Sequence, residues 1–389
     1  MPRRLAAIAL TTIFFLAATA SAGDLAAAMK EVERLRGVTF EHPVATRTVP
    51  RSELPQLLRA QMEKSLPYSA DDYALILRAL QLVDAGDQSN LVGKMMELYE
   101  SQVLAFYDPL SHTYFALSEL PPAASSLGAG SDLLTESVVI HELTHALQDQ
   151  RFAAGARDLA LQRDTDAALA YHSVLEGEAT LVMLAWMANK VGQSVDVMMQ
   201  NDSLVAGIAA AASADTSIGA STPRYFVEEL KFPYVEGLRF VVAAYKHGGG
   251  WKGLDAVHAH PPRSTREVLH PDEYFARVAR GDFAALSFDN RAPSALTVEH
   301  LGEFHWRFLV GDAASGWIDD RVVVAQDERC EPTVLVETSW ESADRARAFR
   351  SAYEQFLRGR GIIADSHLDG TRVRVAYGAD SILAAHFVK

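Results

Sequence analysis

Only one cysteine, Cys330, occurs among the 389 residues, so no disulfide can form within the chain and packing alone must hold the fold. Basic residues are also in short supply: 36 Lys and Arg face 50 Asp and Glu, for a net charge of −14. That balance excludes the broad basic footprint a nucleic-acid binder uses to displace counterions. Gly248-Gly249-Gly250-Trp251 lacks the lysine and hydroxyl of a phosphate-binding loop, and no Gly-x-Ser-x-Gly elbow exists for serine-based hydrolysis. Beyond the N-terminus no apolar run is long enough to span a bilayer. Leu204–Ala212 is the nearest approach, but it is short and alanine-rich, and Ser203–Thr222 reads as a helix end followed by a mobile loop. The rest is ordinary globular material, 49% hydrophobic and 22% charged, enough for one large domain or two to three smaller ones.

The first residues carry an address. Arg3 and Arg4 precede an apolar stretch from Leu5 to Ala20, and Ala20-Ser21-Ala22 closes it with small residues at alternate positions. This is the layout of a secretory signal peptide, with cleavage expected after Ala22 and a secreted or periplasmic destination.

Spacing of apolar residues then predicts a mostly helical α+β chain. Leu54-Leu57-Leu58-Met62, Tyr73-Ile76-Leu77-Leu80 and Leu91-Met95-Leu98 recur at helical period, with breaks at Pro43, Pro50, Pro67 and Gly86. Val103–Tyr107 and Thr113–Leu117 read as a β-hairpin turning at Asp108–His112. A loop at Pro121–Ser131 leads to a helix over Leu133–Gln150. Further helices are expected at Asp164–Lys190, Pro223–Leu230 and Val235–His247, before a Pro-rich turn at His260-Pro261-Pro262. From about Leu296 a helix, strands at Arg321–Gln326 and Thr333–Thr338, a helix at Ser342–Arg358 and a strand at Thr371–Tyr377 suggest a small α+β subdomain. The expected divisions are a signal peptide at 1–22, an N-terminal helical region at 23–102, a core at 103–295 and the C-terminal subdomain at 296–389.

The segment that carries chemistry is Val138-Val139-Ile140-His141-Glu142-Leu143-Thr144-His145-Ala146. On a helix, residues four apart share a face, so His141 and His145 can hold one ion between them. Glu142 sits where it can accept a proton from a water on that ion. The bland alternative, two satisfied histidines on an ordinary helix, fits poorly with the apolar run that buries this face. Two imidazoles, one carboxylate and an open fourth place form the catalytic arrangement of Zn²⁺. Position 148 is Gln and position 151 is Arg, so no third histidine follows at metzincin spacing. The third ligand is therefore sought in Leu175-Glu176-Gly177-Glu178-Ala179. Residues two apart on a helix point about 200° apart, so only one of the two carboxylates can face the metal. Glu176 shares its face with His172, Ser173, Thr180 and Met183, whereas Glu178 lies among Tyr171, Val174, Leu175, Leu181 and Val182. Glu176 is the expected ligand, with His172 a weaker alternative. Gly177 would allow close helix approach. Glu178 on an apolar face needs a partner, for which a ligand histidine is the candidate.

His-Glu-x-x-His with a glutamate on a later helix resembles the gluzincin zinc metallopeptidases. His141-Glu142-Leu143-Thr144-His145-Ala146, with Asp149 after it, is similar to the zinc helix of thermolysin-like enzymes, and Glu176-Gly177-x-Ala179 to the Glu-Gly-x-Ala of aminopeptidase-type gluzincins. The resemblance runs from about Leu104 to Ala185, and as a whole the chain looks like secreted bacterial proteins with such a core. It implies a zinc-dependent peptidase in which the hairpin at Val103–Leu117 offers an edge strand to extended peptide. His260-Pro261 followed by Arg263 and Arg266 resembles a segment of the prenyl-protein-processing gluzincins, which makes His260, His270 and Tyr274 the candidates for stabilising the oxyanion. Arg266 would then orient substrate or glutamate. A rigid turn with a helix cap explains the same residues structurally. The rival readings are a catalytically inactive, zinc-stabilised binding protein and a zinc hydrolase of non-peptide substrates.

Overall fold

The computed structural model describes residues 22–65, 69–84, 90–103, 105–119, 132–161, 164–200, 207–208, 222–283 and 295–389. The signal peptide, the loop at Pro121–Ser131 and nearly all of Ser203–Thr222 lie outside the described residues.

In chain order the N-terminal part contains α1 (Ala22–Arg36), β1 (Ala45–Val49), α2 (Leu54–Ser65), α3 (Ala70–Ala79) and α4 (Leu91–Gln102). The hairpin β2 (Ala105–Asp108) and β3 (Thr113–Leu117) follows. Next come α5 (Asp132–Phe152), α6 (Ala154–Leu161), α7 (Thr165–Lys190), α8 (Val195–Met199), α9 (Arg224–Phe232), α10 (Leu238–His247), α11 (Trp251–Ala259), α12 (Thr265–Leu269) and α13 (Pro271–Ala279). The last part runs β4 (Ala295–Glu299), α14 (Gly302–Val310), β5 (Trp317–Gln326), β6 (Pro332–Trp340), α15 (Ala343–Gly359), β7 (Asp365–Asp369), β8 (Arg372–Gly378) and α16 (Ser381–Phe387). This is the expected α+β class. None of the described helices is long and apolar enough to cross a membrane.

The hairpin takes its place in a three-stranded sheet of order β1-β3-β2, with β1 parallel and β2 antiparallel to β3. Alternation along the strands divides the sheet's two faces. Phe106 and Phe115 stack across the pair at 4.8 Å and face the core beneath α2–α4, while Ala105, Tyr107, Tyr114 and Ala116 face α5. β2 is thus an edge strand lying against α5. β1 was not expected. Its Ala-Thr-Arg-Thr-Val carries no apolar alternation, because four of its five residues are exposed.

α7 is a core helix. Asp164 caps its start by accepting the Ala167 N–H, and it is buried on nearly every side, against α5 on one flank and α10 on another. Between α9 and α10 the chain does not break as the sequence suggested. Pro233 has no N–H to continue the ladder, and Pro233–Gly237 opens into one π-helical turn instead. That turn packs directly on α7. A Cβ on Gly177 would come within 2.3 Å of the Gly237 carbonyl oxygen, and one on Gly237 within 2.2 Å of the Ser173 carbonyl oxygen. The close approach foreseen for Gly177 exists, and its partner is this turn.

The C-terminal part forms a five-stranded antiparallel sheet, β4-β5-β6-β8-β7. β4 and β7 were not foreseen as strands; both are short, β7 is largely exposed and β4 is partly to fully buried. Nor does this part stand alone. Leu54, Leu77 and Leu98 of the N-terminal helices share one core with Trp306, Val336, Phe349 and Val375. The Tyr377 hydroxyl donates to the Ala79 carbonyl at 3.0 Å, and Arg360 pairs with Asp84 at 2.6 Å. The divisions at 102 and 295 therefore separate sequence textures, while the two ends of the chain close on each other.

Candidate metal centre

α5 carries His141, Glu142 and His145 one turn apart, with Val138, Val139 and Ile140 buried before them. α7, crossing beside it, brings Glu176. The Nε2 atoms of the two histidines lie 3.0 Å apart, and Glu176 Oε2 is 3.2 Å from the first and 3.5 Å from the second. One ligand atom from each of the three residues falls within 4.8 Å of the others, and all three residues are buried. Among the described residues this is the one cluster of three or more potential ligands so arranged.

Electrostatics couple the three groups to one another. Burial would raise the Glu176 carboxyl, yet His145 and His141 hold it well below the usual carboxylate range. Against its own burial, His145 is raised to about 9 by Glu176 and Glu142, whereas burial leaves His141 lowered. Glu176 Oε1 remains without a hydrogen-bond partner in a fully buried position, with His172 Nε2 no nearer than 3.5 Å. An unsatisfied carboxylate oxygen beside two converging imidazoles is costly unless something positive enters. The residues present therefore fit a divalent metal of the kind that takes nitrogen and oxygen donors.

Glu142 points toward β2. Its Oε2 accepts the Tyr107 N–H at 2.9 Å, so a backbone donor of the edge strand aims it. Burial pushes Glu142 up to about 8, with Glu176 adding to the rise and His145 and Tyr107 opposing it. Such a carboxyl can gain and lose a proton near neutral pH.

Glu178 stands outside the cluster. It lies in a buried network with Arg36 of α1, His258 of α11 and Gln148 of α5. Arg36 donates from Nε to Oε1, His258 Nε2 lies 2.5 Å from Oε2, and Gln148 Nε2 donates to Oε2 at 2.8 Å. Burial would raise Glu178, but Arg36 and His258 hold it far below its ordinary value. The expected partner, a ligand histidine, is one residue removed: Gln148 Oε1 faces His145 Nδ1 at 2.9 Å. Since Gln148 Nε2 donates to both Glu178 and the Leu175 carbonyl, its oxygen must be the atom facing His145. In its neutral form His145 would then carry its proton on Nδ1, which leaves the Nε2 lone pair for an ion. Nothing in the sequence distinguished Gln148 from any other polar helix residue.

A cleft opens beside the cluster, lined among others by Tyr107, His145, Gly155, Asp158, His172 and Glu176. His172 is thus brought to the site without joining the three-residue cluster. Asp149, which the resemblance singled out, ties the hairpin to the end of α5. It accepts from the Tyr107 hydroxyl at 2.9 Å and from the Gly155 N–H at 3.0 Å, and meets His112 Nδ1 at 2.8 Å.

The three oxyanion candidates are not brought to this cleft, and here the sequence reading is corrected. His260 stacks on Phe283 at 3.8 Å. The Tyr274 hydroxyl is spent on the His260 carbonyl at 2.9 Å, and its ring packs against Phe240. His270 Nε2 pairs with Glu303 at 3.0 Å. Arg266 binds Glu273, Glu303, Glu341 and the Trp317 carbonyl, joining α12 to the C-terminal part. The segment is a structural clasp, as a rigid turn with buried charges would be.

Residues 285–383 match a family model described as a domain of unknown function (DUF8575). The match takes in the five-stranded sheet and leaves α5 and α7 outside it. No curated protein and no solved structure matches the chain.

Proposed function

We propose that the protein is an exported zinc-dependent peptidase. The observation that carries this reading is the convergence of His141, His145 and Glu176, with Glu142 held beside them by an edge-strand amide. His141 and His145 would hold the ion through Nε2 and Glu176 through its carboxylate. A zinc ion so held would supply Lewis acidity, polarising a carbonyl and making water acidic enough to ionise near neutral pH. Glu142 takes a proton from the attacking water and returns it to the leaving nitrogen, a role that its raised affinity for protons suits. β2 is an edge strand among the described residues, and an extended chain lying along it would bring a peptide bond to Glu142. His172 lines the cleft outside the ligand set.

A purely structural zinc site would close its fourth place with a protein ligand and has no use for Glu142. An edge strand beside the cluster favours peptide over other hydrolysable substrates. The test is digestion of a mixed peptide library by purified protein, with and without a zinc chelator. Cleavage that stops with chelator and returns with added zinc is expected. Cleavage indifferent to chelator, or none from zinc-loaded protein, would defeat the reading.

A further inference from the structure

Ala153 takes a left-handed backbone, φ +52°, and turns α6 sharply back from the end of α5. This places Asp158, 4% exposed, in the wall of the cleft that His145, His172 and Glu176 also line. Its carboxylate makes no hydrogen bond and no ion pair with any described residue. The neighbouring Arg157 does not neutralise it, because that guanidinium lies over the Tyr171 ring at 5.6 Å and donates to the His258 carbonyl. Every other buried carboxylate described near the centre has a stated partner: Glu142 an amide, Glu176 two imidazoles, Glu178 an arginine. A buried carboxylate facing a cleft without a partner is costly to the fold, and a cation arriving in the cleft would relieve that cost.

We propose that Asp158 is the anionic end of a substrate subsite that takes a cationic nitrogen. The inference rests on the peptidase reading and deepens it, since a peptide can bring such a nitrogen either as its α-ammonium or on a lysine or arginine side chain. Asp158 recognises and positions; it does not join the proton transfers of Glu142. Nothing in the sequence marks Asp158, and only the turn at Ala153 brings it to the cleft.

The test uses zinc-loaded full-length protein carrying Glu142→Gln, so that bound peptide stays intact. Binding of three probes is measured by calorimetry: an alanine-rich hexapeptide with a free N-terminus, its N-acetylated form, and the acetylated form with one lysine. Either the free-amine or the lysine probe should bind about 10- to 100-fold tighter than the acetylated neutral one. Adding Asp158→Asn should erase that preference, leaving neutral binding and zinc content unchanged. Which probe gains identifies the source of the nitrogen. Equal weakening of all three probes, loss of zinc, or a preference that survives Asp158→Asn would overturn the proposal. If the probes bind without charge preference and the parent cleaves them, this inference alone fails. If none binds and the parent cleaves none, the peptidase reading fails, and the subsite with it.

Discussion

Replacing Glu142 by Gln should lower peptide hydrolysis by about 100- to 10,000-fold, the usual contribution of a positioned general base. Zinc content and fold should persist. The amide keeps the shape of the side chain and leaves an oxygen for the Tyr107 N–H, and Glu142 does not belong to the three-residue cluster. What disappears is the capacity to take up a proton. Rates measured beside zinc content separate the two effects: low activity with full zinc supports the role, and a variant as active as the parent refutes it.

Glu178→Leu should have the largest effect on stability. Arg36 and Glu178 side chains are each 1% exposed, so removing the carboxylate leaves a guanidinium charged in the interior with only the half-exposed Asp255 beside it. Breaking a buried pair on one side costs about 3–5 kcal/mol. Gln148 would also lose one of the two acceptors that fix its amide, so zinc affinity should fall about 10- to 100-fold through the loosened His145. Adding Arg36→Met removes the stranded charge and should recover most of the stability without the zinc affinity. Denaturant unfolding of the single and double variants, with zinc titration, checks both parts. If the double variant is as unstable as the single, the buried charge is not the cause.

The His141–His145–Glu176 cluster was legible because its logic is local. His141, Glu142 and His145 lie within one helical stretch, and the choice of Glu176 over Glu178 needed only the rotation between neighbouring helix positions. The hairpin was legible from its alternation, and Gly177 from its neighbourhood. What escaped was non-local. Arg36 meets a carboxylate 142 residues away, and His258 meets the same one from 80 residues away. Gln148 matters only because α7 lays Leu175 and Glu178 against it. Asp158 matters only because Ala153 folds α6 over the cleft. His260, His270 and Tyr274 misled because a resemblance in a short Pro-containing segment says which residues are near in sequence. Their actual partners, Phe283, Glu303 and a backbone carbonyl, were not visible from it. β1 escaped because an exposed strand held by main-chain bonds leaves no apolar signature.

The central claim is that Glu176, and not Glu178, completes a metal site with His141 and His145. Zinc content after equilibration with excess zinc and removal of unbound ion, compared between Glu176→Gln and Glu178→Gln, tests it directly. The account predicts about one zinc per chain in the parent and in Glu178→Gln, with little or none in Glu176→Gln. Equal retention by the two variants, or no zinc in the parent, would contradict it.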